Sequence, residues 1–69
     1  MPRRMIEGDH IFQHDEQFDG MIGGHATVAS GATVEISGMI RGNLTIEKGA
    51  RVRLLGMVGG RIIGDGELY

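Results

Sequence analysis

The tripeptide Gly-Met-Ile recurs at a strict spacing of eighteen positions. It occupies residues 20–22 and 38–40, and it returns as Gly-Met-Val at residues 56–58. The three copies align without insertion or deletion as GMIGGHATVASGATVEIS, GMIRGNLTIEKGARVRLL and GMVGGRIIGDGELY. A constant period of this length is typical of stacked structural units, each of which buries its apolar face against its neighbours. We therefore expect the chain to build its core coil by coil.

A six-residue period lies inside the longer one. Three such six-residue sides make up one eighteen-residue coil and predict a triangular cross-section. Small residues, alanine or glycine, stand four positions after most of the aliphatic residues and fit the corners. The aliphatic residues of this period are Ile22, Val28, Val34, Ile40, Ile46, Val52 and Val58.

The alternation of apolar and polar residues provides an independent test. Successive side chains of a strand point to opposite faces, so a buried face repeats with period two. From residue 20 onward the even positions carry nearly all the aliphatic side chains, and the odd positions carry polar or charged ones. This pattern predicts one inward and one outward face for every strand.

Composition favours the same architecture over an amphipathic helix. The chain has 13 glycines among its 69 residues, many β-branched residues and no sustained 3.6-residue period. The predicted fold is all-β: a short triangular parallel β-helix, or β-solenoid, over residues 20–69. We expect eighteen-residue coils, about 2.5–3 of them.

Residues 1–19 do not continue the six-residue pattern, because Glu16 and His10 stand where aliphatic residues are expected. The segment carries both phenylalanines of the chain, Phe12 and Phe18. We interpret it as an N-terminal capping arm, a short helix or irregular segment that lays these rings over the first coil. A disordered tail, or an arm that reaches a neighbouring subunit, remains an alternative.

Length and charge set further limits. A chain of 69 residues forms one domain with a small core, and without cysteine it has no disulfide or thiolate metal site. No apolar run is long enough for a membrane span or a signal peptide, so we expect a cytoplasmic protein. A net charge of −2 gives no reason to expect nucleic acid as a partner.

Catalytic chemistry is scarce in the sequence. His10 and His14 have the i, i+4 spacing of one helical face, and Asp15 and Glu16 follow them, which makes a divalent metal site conceivable. A third well-placed ligand is missing. An acidic solvated arm is the simpler interpretation of the same residues. We assign no catalytic residue, no cofactor and no metal, and we expect the protein not to be an enzyme.

Several exposed groups are candidates for an interface. Met21, Met39 and Met57 occupy odd positions and would form an outward ladder, unless a corner turns them inward to serve packing alone. Near the chain end, Gly64 interrupts an aliphatic column, which either leaves the last edge open for docking or simply ends the pairing. The full set of candidate interface residues is Phe12, Phe18, Met21, Met39, Met57, Arg41, Arg51, Arg53, Arg61, Leu68 and Tyr69.

The segment Gly-Met-Ile-Arg-Gly-Asn-Leu-Thr-Ile-Glu-Lys-Gly-Ala-Arg-Val at residues 38–52 resembles the bactofilin family of polymer-forming bacterial cytoskeletal proteins. The resemblance covers about residues 20–66. It implies a right-handed triangular parallel β-helix whose coils associate end to end into nonpolar filaments without nucleotide.

Two functions follow as expectations. The first is a structural protein that self-associates, as a homo-oligomer or filament, through its coil ends or its N-terminal arm. The second is a small protein-binding module of the immunity, antitoxin or adaptor type, which uses the solenoid face as its interface.

Overall fold

The computed structural model describes residues 4–69, which form ten β-strands and no helix. All strand pairs are parallel. The strands are β1 (Arg4–Ile6), β2 (His10–Phe12), β3 (Glu16–Ile22), β4 (Ala26–Val28), β5 (Thr33–Ile40), β6 (Leu44–Ile46), β7 (Arg51–Leu54), β8 (Met57–Val58), β9 (Ile62–Ile63) and β10 (Glu67–Leu68).

The strands stack on three sides of a solenoid. The first side contains β1, the end of β3, the end of β5 and β8, and the second contains β2, β4, β6 and β9. The third side contains the beginnings of β3 and β5, followed by β7 and β10. The predicted β-solenoid with eighteen-residue coils is confirmed, and it has about four coils rather than 2.5–3.

The additional coil is residues 4–19, which the sequence pattern suggested as a capping arm. Its first two sides pair with the second coil at a spacing of sixteen positions, with Met5 beside Met21 and Phe12 beside Val28. Its third side pairs at the regular spacing of eighteen, with Phe18 beside Ile36. The corner between β2 and β3 is therefore two residues shorter than the equivalent corner of the second coil. This difference hides the repeat without changing which side chains point inward.

The last coil is shortened at the same corner. Ile62 still pairs with Leu44, eighteen positions earlier, but Leu68 pairs with Val52, only sixteen positions earlier. A strict eighteen-residue alignment instead places Leu68 in the column of Ala50 and Ala32, and that assignment is wrong. Gly64 has a φ of 111° within the short corner, a left-handed conformation that glycine adopts without strain.

The core is a single apolar column inside the coils, and its even-numbered positions confirm the predicted alternation. Partly buried Ile6, Leu54 and Val58 pack against it. Ile62 points inward too, but no coil within residues 4–69 covers it, and 43% of its surface is exposed. The buried residues are Phe12, Phe18, Ile22, Ala26, Val28, Ala32, Val34, Ile36, Ile40, Leu44, Ile46, Ala50 and Val52.

Glycines allow the coils to stack closely at the bend between the third and first sides. Gly20, Gly38 and Gly56 lie one above the other there. A Cβ atom on Gly38 would overlap the carbonyl oxygen of Gly20, and one on Gly56 would overlap that of Gly38. The glycine of the Gly-Met-Ile repeat is thus required by the distance between neighbouring backbones.

Candidate interaction surfaces

The N-terminal end of the solenoid is covered by polar side chains at inward positions. Arg4 and Glu16 form an ion pair across this end, and the Arg4 guanidinium carbon lies 5.2 Å from the centroid of the Phe18 ring. The His10 ring meets Phe12 edge to face, with centroids 4.6 Å apart. A cation over an aromatic face and an edge-to-face ring pair are both favourable contacts. Among residues 4–69, the side chains at this end are therefore charged and polar.

Phe12 and Phe18 lie beneath that polar layer and are 1% and 0% exposed. Their rings meet edge to face, with centroids 5.6 Å apart. In this structure they are core residues of the first coil, so neither offers surface to a partner. The sequence signal that places them there is parity, that is, whether a residue number is even or odd. Ile6, Phe12 and Phe18 continue the even-numbered apolar positions.

The opposite end exposes apolar side chains. Leu68 stacks on Val52 and is 44% exposed, and Ile62 stacks on Leu44 with a similar exposure. Within residues 4–69 no strand pairs with the free edges of β8, β9 and β10. The exposed large apolar side chains of residues 55–69 are Leu55, Met57, Ile62, Ile63, Leu68 and Tyr69. The two ends of the solenoid thus differ sharply in chemistry.

The methionine ladder has four members rather than three, because Met5 lies in register with Met21, Met39 and Met57. Met21 is half-buried, and the other three are exposed. The four methionines line a groove of about 390 Å³ together with Arg4, Gly20 and Gly38. The methionines therefore form a continuous, mostly outward apolar stripe.

A second ladder, which we call the acceptor ladder, connects the coils at the corner before the second side. The Asp9 carboxylate accepts a hydrogen bond from the backbone N–H of His25 (2.8 Å), and His25 Nδ1 accepts one from the N–H of Asn43 (2.8 Å). The Asn43 side-chain oxygen accepts one from the N–H of Arg61 (2.9 Å). Each coil thus supplies an acceptor for the next. The series ends at Arg61, whose guanidinium has donors only.

The arginines do not form one basic face. Arg51 and Arg53 lie in β7 on the third side, where Arg51 is 3.4 Å from Glu67 and Arg53 is 3.9 Å from Glu35. Arg41 follows the first side and lines a groove with Met5 and Met21. Arg61 precedes the second side. The three-sided coil thus distributes the four arginines over different parts of the surface.

The side-chain arrangement does not support the argument for a metal site at His10 and His14. His10 belongs to a strand and not to a helix, so the i, i+4 argument for His10 and His14 does not apply. Among residues 4–69 no three His, Asp or Glu side chains are grouped closely enough to hold a metal ion. The distinctive features of the described surface are its apolar end and its methionine groove.

Comparisons with known proteins return no relative. No protein-family model, no curated protein sequence and no solved structure matches the chain significantly. The structure itself defines the class of protein, a small parallel β-solenoid of about four coils. Nowhere in residues 4–69 is there a helix long and apolar enough to cross a membrane.

Proposed function

We propose that this β-solenoid is a non-enzymatic assembly protein that associates with copies of itself through its C-terminal end. The observation that carries the proposal is the contrast between the two ends. The N-terminal end is covered by Arg4, His10 and Glu16, whereas the C-terminal end leaves Ile62 and Leu68 exposed above the core.

Exposed strand edges support the same conclusion. An uncovered edge presents unpaired N–H and C=O groups and is a template for pairing with another chain. At the last coil these edges lie next to exposed apolar side chains, so docking would satisfy hydrogen bonds and remove apolar surface from water together. A repeat protein normally carries polar caps at both ends. Here the described residues carry such a cap at one end.

A relationship to the bactofilins is part of this proposal. The segment at residues 38–52 resembles that family, and a parallel solenoid with three sides per coil is compatible with its fold. The resemblance supports end-to-end association and a cytoplasmic location. The absence of cysteine is in keeping with a reducing compartment.

Analytical ultracentrifugation tests the proposal directly. The wild-type chain is expected to sediment as a species larger than a monomer at micromolar concentration, and Leu68→Lys is expected to shift it toward monomer. Thr27→Lys, on an outward position in the middle of the solenoid, is the matched control and should leave association unchanged. A wild-type chain that stays monomeric up to high micromolar concentration would refute the proposed function.

A second candidate function, a protein-binding module, is favoured by the groove beside Met5, Met21, Met39 and Met57. Methionine side chains adapt to different apolar partners, and an exposed apolar stripe marks interaction surfaces. Under this alternative, Met39→Glu abolishes binding of a partner protein and leaves self-association intact. Under the leading proposal, Leu68→Lys changes the assembly and Met39→Glu does not.

A further inference from the structure

We infer that the methionine ladder binds one soft monovalent metal ion, Cu(I), through the thioether sulfurs of Met21, Met39 and Met57. The site is independent of the proposed self-association, because the ladder runs along one side of the solenoid and not across an end. Its ligands are sulfur atoms alone. The described residues bring no three His, Asp or Glu side chains together that could hold an ion elsewhere.

The identity of the residues in the ladder is the first observation. Among the paired strand positions of residues 4–69, this is the one column that keeps a single residue type through four coils. The outward column of the second side, by comparison, changes between isoleucine and threonine. Met57 is retained even in the last coil, where Gly64 interrupts the rest of the repeat. The constant feature of this side is therefore the thioether group.

Packing does not explain why these residues are methionines. Met5, Met39 and Met57 are 72%, 37% and 65% exposed, so the core does not select their shape. Outward strand positions favour β-branched and aromatic residues, and leucine has nearly the same volume as methionine. Any of these would also give an apolar stripe. The property that methionine alone adds is a sulfur atom with lone pairs at the end of a flexible chain.

Sulfur in this form selects a particular kind of ion. A thioether is a soft ligand that suits Cu(I), whereas imidazole also suits Zn²⁺ and Cu²⁺, and carboxylates suit harder ions. Three thioethers supply no negative charge. They therefore suit a monovalent ion better than a divalent one, because the free-energy cost of taking an ion out of water rises with its charge.

The spacing of the coils fits one ion. Met21, Met39 and Met57 are in register on neighbouring parallel strands, which lie about 4.8 Å apart. Sulfur atoms around a trigonal ion lie roughly 4 Å from one another when the metal–sulfur bonds are about 2.3 Å long. With Met39 in the middle, each outer sulfur has to shift by roughly 3 Å toward it. The rotatable bonds of methionine permit this shift, and the groove of about 390 Å³ that the residues line provides the space.

The charge around the ladder places the ion away from Met5. Arg4 precedes Met5 in the chain, whereas the residues that precede the other three ladder methionines are glycines. Arg41 lines a second groove together with Met5 and Met21. A cation beside Met5 would therefore meet like charge, which disfavours binding there.

Silver is the probe for the first test, because Ag(I) has the same charge and soft character as Cu(I) and needs no reductant. Isothermal titration calorimetry with silver nitrate in chloride-free buffer measures the affinity. We expect Met39→Leu to raise the dissociation constant at least about tenfold and the matched control, Met5→Leu, to change it less than about threefold. Equal effects of the two substitutions, or none, would overturn the inference.

Methyl signals of ¹³C-labelled methionines identify the ligands directly. Ag(I) is expected to shift the signals of Met21, Met39 and Met57 and to leave that of Met5 in place. Zn²⁺, which does not favour thioethers, should shift none of the four. Shifts of the histidine ring signals alone would overturn the inference, and shifts at Met5 with Met57 unchanged would overturn the placement of the ion.

Thermal unfolding tests whether the stacked coils form the site. The three ligands come from three successive coils, so unfolding separates them and bound Ag(I) should raise the Tm of the wild-type chain. Met39→Leu should show no such rise. A wild-type Tm that does not increase would mean that the unfolded chain binds the ion equally well, and it would contradict a site built by the solenoid.

The same substitution separates metal binding from the docking of a partner protein in this groove. Met39→Leu keeps the apolar stripe and removes one sulfur, whereas Met39→Glu disrupts both functions. Loss of silver binding in Met39→Leu therefore supports a thioether site, and unchanged silver binding in this variant refutes it.

Discussion

Phe12 stacks beside Val28, sixteen positions further along a chain whose repeat is eighteen. The corner that follows Phe12 is two residues shorter than the corner that follows Val28. Glu16 therefore lies beside Val34 at the regular spacing of eighteen. Residues 4–19 are thus a full coil whose inward side chains continue the core. The polar residues at its other inward positions, Arg4, His10 and Glu16, close the core at this end.

Truncating Phe12 should therefore destabilise the whole domain. We expect Phe12→Ala to lower the free energy of unfolding by about 3–5 kcal/mol, the usual effect of deleting a buried ring. Ile11→Ala, the neighbouring outward position, should change it by less than about 0.5 kcal/mol. Urea denaturation followed by circular dichroism measures both. Equal, small effects would mean that residues 4–19 are an arm that does not contribute to the core.

Close approach of the coils at Gly38 gives a second prediction. A methyl group there meets the carbonyl oxygen of Gly20, and a strand fixed on both sides cannot move away. Gly38→Ala should lower the free energy of unfolding by about 3 kcal/mol, at the upper end of the range for overpacking. Gly8→Ala is the control, because a Cβ at Gly8 meets no atom within 4 Å. Thermal unfolding of the two variants should show a lower Tm for Gly38→Ala alone.

Much of this fold was predictable because a solenoid stacks equivalent residues, and equivalent residues leave a period in the sequence. The constant spacing of Ile22, Ile40 and Val58 identified the first side, and parity identified the inward face. The first coil was missed because a six-residue spacing is sensitive to a shortened corner. Parity is preserved here because the corner is shorter by an even number of residues, and Met5-Ile6 repeats Met21-Ile22 at a spacing of sixteen.

The interaction surfaces were less predictable, since they depend on which side chains meet between coils. The sequence alone cannot show that Arg4 reaches Glu16 across the end, or that Arg51 and Glu67 share a column after a shortened corner. The methionine ladder was predictable because it is part of the repeat itself. Its outward direction, with Met57 65% exposed, came from parity.

The acceptor ladder gives a third prediction. His25 Nδ1 accepts the N–H of Asn43, and Asn43 fills the same role one coil further on with an amide oxygen. His25→Asn should therefore keep the free energy of unfolding within about 0.5 kcal/mol, whereas His25→Leu, which lacks an acceptor, should lower it by about 1 kcal/mol. Chemical denaturation of both variants measures the difference. If His25→Leu is as stable as His25→Asn, the bond contributes nothing at this exposed corner.

Insertions test how strictly the coils depend on parity. The corner after Phe12 is two residues shorter than its counterpart after Val28, so inserting Gly-Ser between Gln13 and His14 only lengthens a surface turn. The free energy of unfolding should change by less than about 1 kcal/mol, since loop closure depends weakly on length.

Inserting one serine between Phe18 and Asp19 instead shifts the register of the strand by one. The inward and outward faces are then exchanged on one side of the insertion, which brings either Phe18 or Ile22 to the surface. We expect this variant to be largely unfolded by circular dichroism, and a folded, cooperative protein would show that the first coil adapts its register independently of the others.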